Sequence, residues 1–109
     1  MVAGPYTSGA ADAAARAANL RALNQVAVAL FRMGHTPIIG VNMALPLIDA
    51  AGEASYDDIM TPLSLALIDR CDAVLRTGGA SKGADDEVER FAVSGKPIYR
   101  RLEDVPPAR

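Results

Sequence analysis

Length, composition and charge describe an ordinary globular domain. The chain has 109 residues, of which 50% are hydrophobic and 22% are charged, so it is long enough to bury one core and does not belong to the disordered class. Its formal net charge of −2 leaves no basic surface for a nucleic-acid backbone, and no apolar stretch reaches the ~20 residues of a membrane span. We therefore expect a soluble, cytoplasmic protein without a nucleic-acid or membrane partner.

The first part of the chain reads as strand, loop, helix and strand. Met1–Ala3 is a stub that could form a first strand, and a loop rich in small residues follows it. Asp12 is placed to cap a long helix over residues 13–33, which Gly34 ends. The apolar run Pro37–Val41 predicts a strand that is covered on both faces.

The rest of the chain continues this alternation. Between residues 42 and 61 the pattern predicts a long loop with at most one helical turn, because Pro46 and Gly52 interrupt it. Thr61 followed by Pro62 is typical of a helix start. The later predicted elements are a helix to about Arg70, a strand at 73–76, a small-residue loop at 78–83, a helix at 84–94 and a strand at 97–101.

Strands that alternate with helices pair in parallel, and their ligands bind beyond the carboxyl ends of the strands. The sequence therefore predicts an α/β fold with a small, doubly wound parallel sheet of the flavodoxin-like or Rossmann-like type. We expect about four strands, with helices on both faces. No internal repeat or linker is visible, so residues 1–109 are predicted to form a single domain.

Two glycine-rich loops fall at the predicted ligand-binding edge. They are Gly4-Pro5-Tyr6-Thr7-Ser8-Gly9 and Gly78-Gly79-Ala80-Ser81-Lys82-Gly83. Each runs into a helix, so its hydroxyls and free backbone N–H groups suit a phosphate. Neither loop fits a Walker or dinucleotide-binding motif, and each could be only a tight turn.

The helix after the second loop carries a candidate catalytic carboxylate. Its buried face is predicted to be formed by Ala84, Val88, Phe91 and Ala92, and Glu87 lies at the margin of that face. From this position Glu87 could project over the strand ends, partly desolvated and held ionised by the helix dipole, as suits a nucleophile. The alternative is an acidic residue that only favours the start of the helix.

Three groups of motifs carry a family resemblance. They are Ala3-Gly4-Pro5, the turn Asp69-Arg70-Cys71-Asp72-Ala73-Val74, and Ser81-Lys82-Gly83-Ala84 with Glu87 and Gly95-Lys96-Pro97. Together they resemble the nucleoside 2-deoxyribosyltransferase superfamily, especially its short bacterial members and its nucleotide N-glycosidase branch. The resemblance covers most of the chain but lapses between Met43 and Tyr56.

The resemblance implies a reaction and a set of site residues. It implies that Glu87 attacks the anomeric carbon of a (deoxy)nucleoside or its monophosphate and releases the base, after which water or a second base resolves the sugar ester. It also implies that Ser81 contacts the 5′-phosphate, and that Ser64 stands where the family has an Asp that assists the leaving base. Residues 1–109 would then form one nucleoside 2-deoxyribosyltransferase-like domain that needs no cofactor and no metal. The expected substrate-binding residues are Gly4, Pro5, Tyr6, Ser8, Gly9, Ser81 and Gly83.

The departures from the family pattern keep other functions open. Because Ser64 replaces the family's Asp, the chain could be a non-catalytic nucleotide-binding module; Asp57 and Asp58 are candidates to replace the missing acid. A third hypothesis is a lysine-decarboxylase-like phosphoribohydrolase, suggested by Gly78-Gly79 leading to the helix of Glu87, although the fuller arginine and glycine signature of those enzymes is absent.

The segment Met43–Ile48 predicts self-association. Its sequence, Met-Ala-Leu-Pro-Leu-Ile, is too hydrophobic for a freely solvated loop, and exposed apolar patches usually mark interfaces. Members of the superfamily that the chain resembles form oligomers in which neighbouring subunits complete each other's active sites. We therefore expect a homodimer or a larger homo-oligomer.

Overall fold

The computed structural model describes residues 1–108. In this range it has three strands and four α-helices, with short 3-10 turns at Glu53–Ser55 and Leu102–Asp104. In chain order the strands and α-helices are β1 (Val2–Ala3), α1 (Ala13–Arg32), α2 (Gly40–Ala51), α3 (Tyr56–Ile68), β2 (Val74–Arg76), α4 (Lys82–Val93) and β3 (Ile98–Tyr99).

The three strands form one parallel sheet with β2 in the centre. Val2 pairs with Leu75, and Leu75 pairs with Tyr99 on the other side. Parallel strands need crossover connections, which helices supply here. The α/β class predicted from the alternation of elements is confirmed.

Successive strand residues bury their side chains on opposite faces of the sheet. On one face, Ala3 and Val74 pack with residues of α3 and α4 around the fully buried ring of Phe91. On the other face, Val2 and Leu75 pack with residues of α1. Helices therefore cover both faces, and the carboxyl ends of β1 and β2 open between them.

Three helix-end signals predicted from the sequence are present in the structure. The Asp12 side chain accepts a hydrogen bond of 2.8 Å from the backbone N–H of Ala15 and so caps α1. Gly34 and Gly95 follow α1 and α4 with φ of 93° and 70°, values that glycine adopts without strain.

The predicted strand at Pro37–Val41 is wrong. Gly40 and Val41 begin α2, and the residues before them form no strand, although the backbone of Ile39 is extended. Val2 N donates to Ile38 O at 2.8 Å, so this segment lies beside β1. Within residues 1–108 the sheet therefore has three strands, where about four were expected.

The predicted long loop over residues 42–61 is also wrong, because most of α2 and the first six residues of α3 form there, with Pro46 inside α2. The helix start predicted at Thr61–Pro62 is wrong too, because both residues lie inside α3, which begins at Tyr56. A proline within a helix removes one hydrogen bond and reads as a breaker in a sequence. Here α2 buries Ala44 and Ile48, and this packing outweighs the lost bond. Among helices formed by residues 1–108, none is both long enough and apolar enough to cross a bilayer.

Candidate functional site

A cavity of about 210 Å³ opens at the carboxyl ends of β1 and β2. Its walls come from the loop after β1, the start of α4 and the facing side of α3. It brings together these residues singled out from the sequence: Gly4, Tyr6, Ser8, Ser64, Ser81, Gly83 and Glu87.

Two other expected substrate-binding residues, Pro5 and Gly9, do not line this cavity. Pro5 packs against the second loop, since a Cβ added to Gly78 would lie 2.7 Å from Pro5 Cδ. Gly9 has a φ of 70° and occupies a turn that leads towards α1. Both residues shape the first loop without facing the cavity.

The first loop is pinned between α1 and β2. A Cβ on Gly4 would lie 2.5 Å from Leu23 Cδ2 and 2.7 Å from Thr77 O, so only glycine fits at this position. Asn19 of α1 donates from Nδ2 to Tyr6 O at 2.8 Å and to Ser8 O at 3.4 Å. These contacts hold the loop against the sheet with Tyr6 and Ser8 at the cavity.

Ser81 caps α4 and also lines the cavity. Its Oγ accepts from Ala84 N at 3.2 Å and caps α4, and its side chain is only 7% exposed. Because the hydroxyl acts as an acceptor in the cap, its own hydrogen is left to donate to a ligand.

Glu87 is half-buried in the cavity wall. Burial raises the pKa of its carboxyl to about 7, while the positive charges of the amino terminus and of Arg76 lower it and only partly offset burial. The expectation that the helix dipole keeps Glu87 ionised is therefore wrong. Glu87 lies in the second turn of α4, beyond the turn where the dipole acts strongly, and at neutral pH it is present both as acid and as carboxylate.

Ser64 faces the cavity from α3 and is 8% exposed. It also forms the contact between α3 and the first residue of α2, because a Cβ on Gly40 would overlap Ser64 Oγ and lie 3.0 Å from Ser64 Cβ. The proposed substitute acids, Asp57 and Asp58, are exposed and do not line the cavity.

Sequence reasoning missed three residues that build the site. Tyr56 lines the cavity, and burial and the nearby Tyr6 raise the pKa of its phenol, whereas Arg16 lowers that pKa. Asn19 holds the first loop, and Arg76 holds the second. A polar residue within an apolar helix or strand was the available signal for Asn19 and Arg76, but their partners are set by the tertiary fold.

Lys82 and Arg16 lie near the site without lining the cavity. Lys82 is fully exposed, and its Nζ donates to Asp86 Oδ2 at 2.9 Å, so it is engaged at the rim. Arg16 lies near Tyr56, close enough to lower the pKa of its phenol. In residues 1–108 no group of three or more His, Cys, Asp and Glu side chains is arranged to hold a metal ion.

A second cavity, of about 530 Å³, lies at the amino ends of the strands next to His35 and Cys71. It is the larger of the two, but ligands of parallel α/β sheets bind at the carboxyl ends. The smaller cavity holds the carboxyl group with the strongly raised pKa, which is a mark of functional sites. We therefore place the candidate site in the smaller cavity.

The fold and this cavity define a small α/β protein in which a half-buried glutamate faces a ligand-sized cleft at the sheet edge. The chain belongs to the family described as a domain of unknown function (DUF1937), which matches residues 1–101. Searches of curated proteins and of solved structures found no match to the chain.

Proposed function

We propose that the cavity binds a (deoxy)nucleoside monophosphate and that Glu87 acts as the nucleophile in cleavage or transfer at its N-glycosidic bond. The observation that carries this proposal is the half-buried Glu87 carboxyl, with a pKa of about 7, in one cavity with the hydroxyls of Tyr6, Ser8 and Ser81. A carboxyl that is not fully solvated is more reactive towards an anomeric carbon than one in bulk water.

The proposed reaction has two steps. The Glu87 carboxylate forms a bond to the anomeric carbon as the bond from that carbon to the base nitrogen breaks, and the base leaves with the electron pair and takes a proton. Water, or the nitrogen of a second base, then attacks the anomeric carbon and frees the carboxylate. Ser64 is too weak an acid to supply the proton that the leaving base takes, so this proton comes from solvent water.

The phosphate end of the ligand is proposed to lie between the two loops. The Ser81 hydroxyl hydrogen, the Ser8 hydroxyl and the free N–H groups at the start of α4 are suitable donors. A charge-assisted hydrogen bond contributes roughly 1.5–3 kcal/mol, so one such bond corresponds to about a tenfold preference or more for a monophosphate over its nucleoside.

The test is to incubate the protein with a panel of nucleosides and nucleoside monophosphates and to measure free base by chromatography. Glu87→Gln is expected to reduce base release at least about a thousandfold, because the amide cannot form the sugar ester. The rate in wild type is expected to rise with pH up to about 7 and then level off, since attack needs the ionised carboxylate and its pKa is about 7.

The matched control is Glu89→Gln, which removes an exposed carboxylate from the same helix and is expected to leave base release unchanged. Base release that is the same in wild type and Glu87→Gln would contradict the catalytic role. The second candidate function, a binding module of the same fold, is favoured by the Ser64 departure. It predicts calorimetric binding of monophosphates, weakened at least about tenfold by Ser81→Ala, with no base released by wild type.

We further propose that the chain forms a homodimer or a larger homo-oligomer through α2. Met43 and Leu47, one turn apart, are 51% and 49% exposed, while Ala44 and Ile48 of the same segment are buried within the chain. The apolar residues thus form an exposed helix face instead of the loop expected from the sequence. Replacing Met43 and Leu47 by glutamate is expected to produce a monomer in light scattering, and a wild-type monomer at micromolar concentration would contradict the proposal.

We also propose that the sheet belongs to the doubly wound, Rossmann-like type. The bond from Val2 N to Ile38 O supports it, because it places the extended segment before α2 where a fourth strand beside β1 would lie.

A further inference from the structure

Arg76 is a charged side chain in a position where a strand residue is normally apolar. It is the last residue of β2 and is 9% exposed. By the alternation of strand side chains it lies on the same face as Val74, the face covered by α4. Burying an arginine is costly unless its N–H groups find partners.

The guanidinium finds those partners around the second loop. Its Nε donates to Asp85 Oδ1 at 3.0 Å, its Nη1 to Thr77 O, and its Nη2 to Gly79 O at 2.8 Å. One planar group therefore ties two carbonyls of the loop to the first turns of α4. A lysine has a single nitrogen and cannot reproduce this fork.

We propose that Arg76 is the positioning residue of the candidate site. Its guanidinium fixes the 77–79 loop and the start of α4, and this fixes the position of the Glu87 carboxyl. The guanidinium also supplies a positive charge that acts on that carboxyl. This inference rests on the proposed function for its catalytic meaning, but the positioning itself is independent of any substrate. Arg76 does not line the cavity, so it acts through the loop and Glu87 without touching the ligand.

The charged and titratable groups around Glu87 come from several elements. The amino terminus beside β1 and Arg76 of β2 both lower the Glu87 pKa, against the larger effect of burial. Tyr6 from the first loop, Tyr56 from α3 and Asp86 from α4 line the same cavity. Asp85 is 64% exposed and pairs with the Arg76 guanidinium.

The test is a pH titration of the Glu87 side-chain carboxyl by NMR in the ligand-free protein. Arg76→Gln, which removes the charge, is expected to raise the Glu87 midpoint by about one unit. Arg76→Lys, which keeps the charge but cannot form the fork, is expected to raise it by less than Arg76→Gln does. Arg101→Gln, at an exposed arginine that pairs with Glu103, is the control and is expected to leave the midpoint unchanged. An unchanged midpoint in Arg76→Gln would overturn the proposal.

Amide hydrogen exchange keeps the proposal testable if Arg76→Gln does not fold. In Arg76→Lys the loss of the fork is expected to accelerate exchange at the hydrogen-bonded amides of Thr77, Ala84 and Asp85 at least about tenfold relative to wild type. Wild-type exchange rates in Arg76→Lys would mean that the guanidinium does not hold the loop. Neither readout needs turnover, so a failure of the base-release assay would reject the proposed function and leave the positioning role to be decided by these measurements.

Discussion

Glu87→Gln is expected to be more stable than wild type by about 3 kcal/mol at pH 8 and equally stable at pH 4. The Glu87 carboxyl has a pKa of about 7 when folded, against an ordinary value of 4.5. Between these values the folded chain keeps the proton that the unfolded chain has lost, so the free energy of unfolding of wild type falls as pH rises from about 4.5 to 7. Each pKa unit corresponds to about 1.4 kcal/mol, and glutamine does not titrate.

Urea unfolding of both proteins at pH 4 and pH 8 measures this difference. Glu89→Gln is the matched control, because Glu89 is exposed on the same helix, and its difference from wild type is expected to stay within about 0.5 kcal/mol at both pH values. A Glu87→Gln difference that does not change with pH would show that folding does not raise the pKa of the Glu87 carboxyl. The ionised form that the proposed reaction requires is thus the form that lowers the free energy of unfolding.

Gly40→Ala is expected to lower the free energy of unfolding by about 2 kcal/mol, although alanine normally favours a helix. The new Cβ would overlap Ser64 Oγ, and Gly40 and Ser64 are both buried where α2 meets α3. Overpacking of this kind forces side chains and backbone apart at a cost of roughly 1–3 kcal/mol. Because Ser64 lines the cavity, the displacement also reaches the candidate site.

A double-mutant cycle isolates the contact. Ser64→Gly removes the atoms that the new Cβ would meet, so Gly40→Ala in that background is expected to cost at least about 1 kcal/mol less than in wild type. Gly83→Ala is the control: Gly83 lies in the first turn of α4 with no atom within 4 Å of an added Cβ, and its replacement is expected to be neutral or stabilising. Gly40→Ala proteins as stable as wild type in urea unfolding would contradict the close approach of the two helices.

The sequence predicts the elements whose signals are local. Asp12 caps α1, and Gly34 and Gly95 end α1 and α4, because a cap or a left-handed turn depends on one or two neighbouring residues. The parallel pairing followed from the alternation of helices and strands alone. These signals were sufficient to place the two loops that now border the candidate site.

The helix α2 and the first half of α3 were not predictable from the same signals. Pro46 read as a breaker and Pro62 as a helix start, whereas both helices are held by burial of apolar residues against the rest of the chain. The state of Glu87 was misjudged for a similar reason, since its desolvation depends on residues of other elements. Arg76 shows the same limit, because its partners become neighbours only when the loop has folded back over the strand end.

During synthesis, β1 leaves the ribosome long before its partner strand exists. The amino group of Met1 donates to Ala73 O, 72 residues along the chain, and Val2 pairs with Leu75 of the same distant strand. Closing so long a segment is entropically costly, so this pairing follows the local packing of α2 on α3. The cavity needs the first loop, α3 and the start of α4 together, so a nascent or truncated chain that stops before Ser81 lacks the wall that carries Glu87.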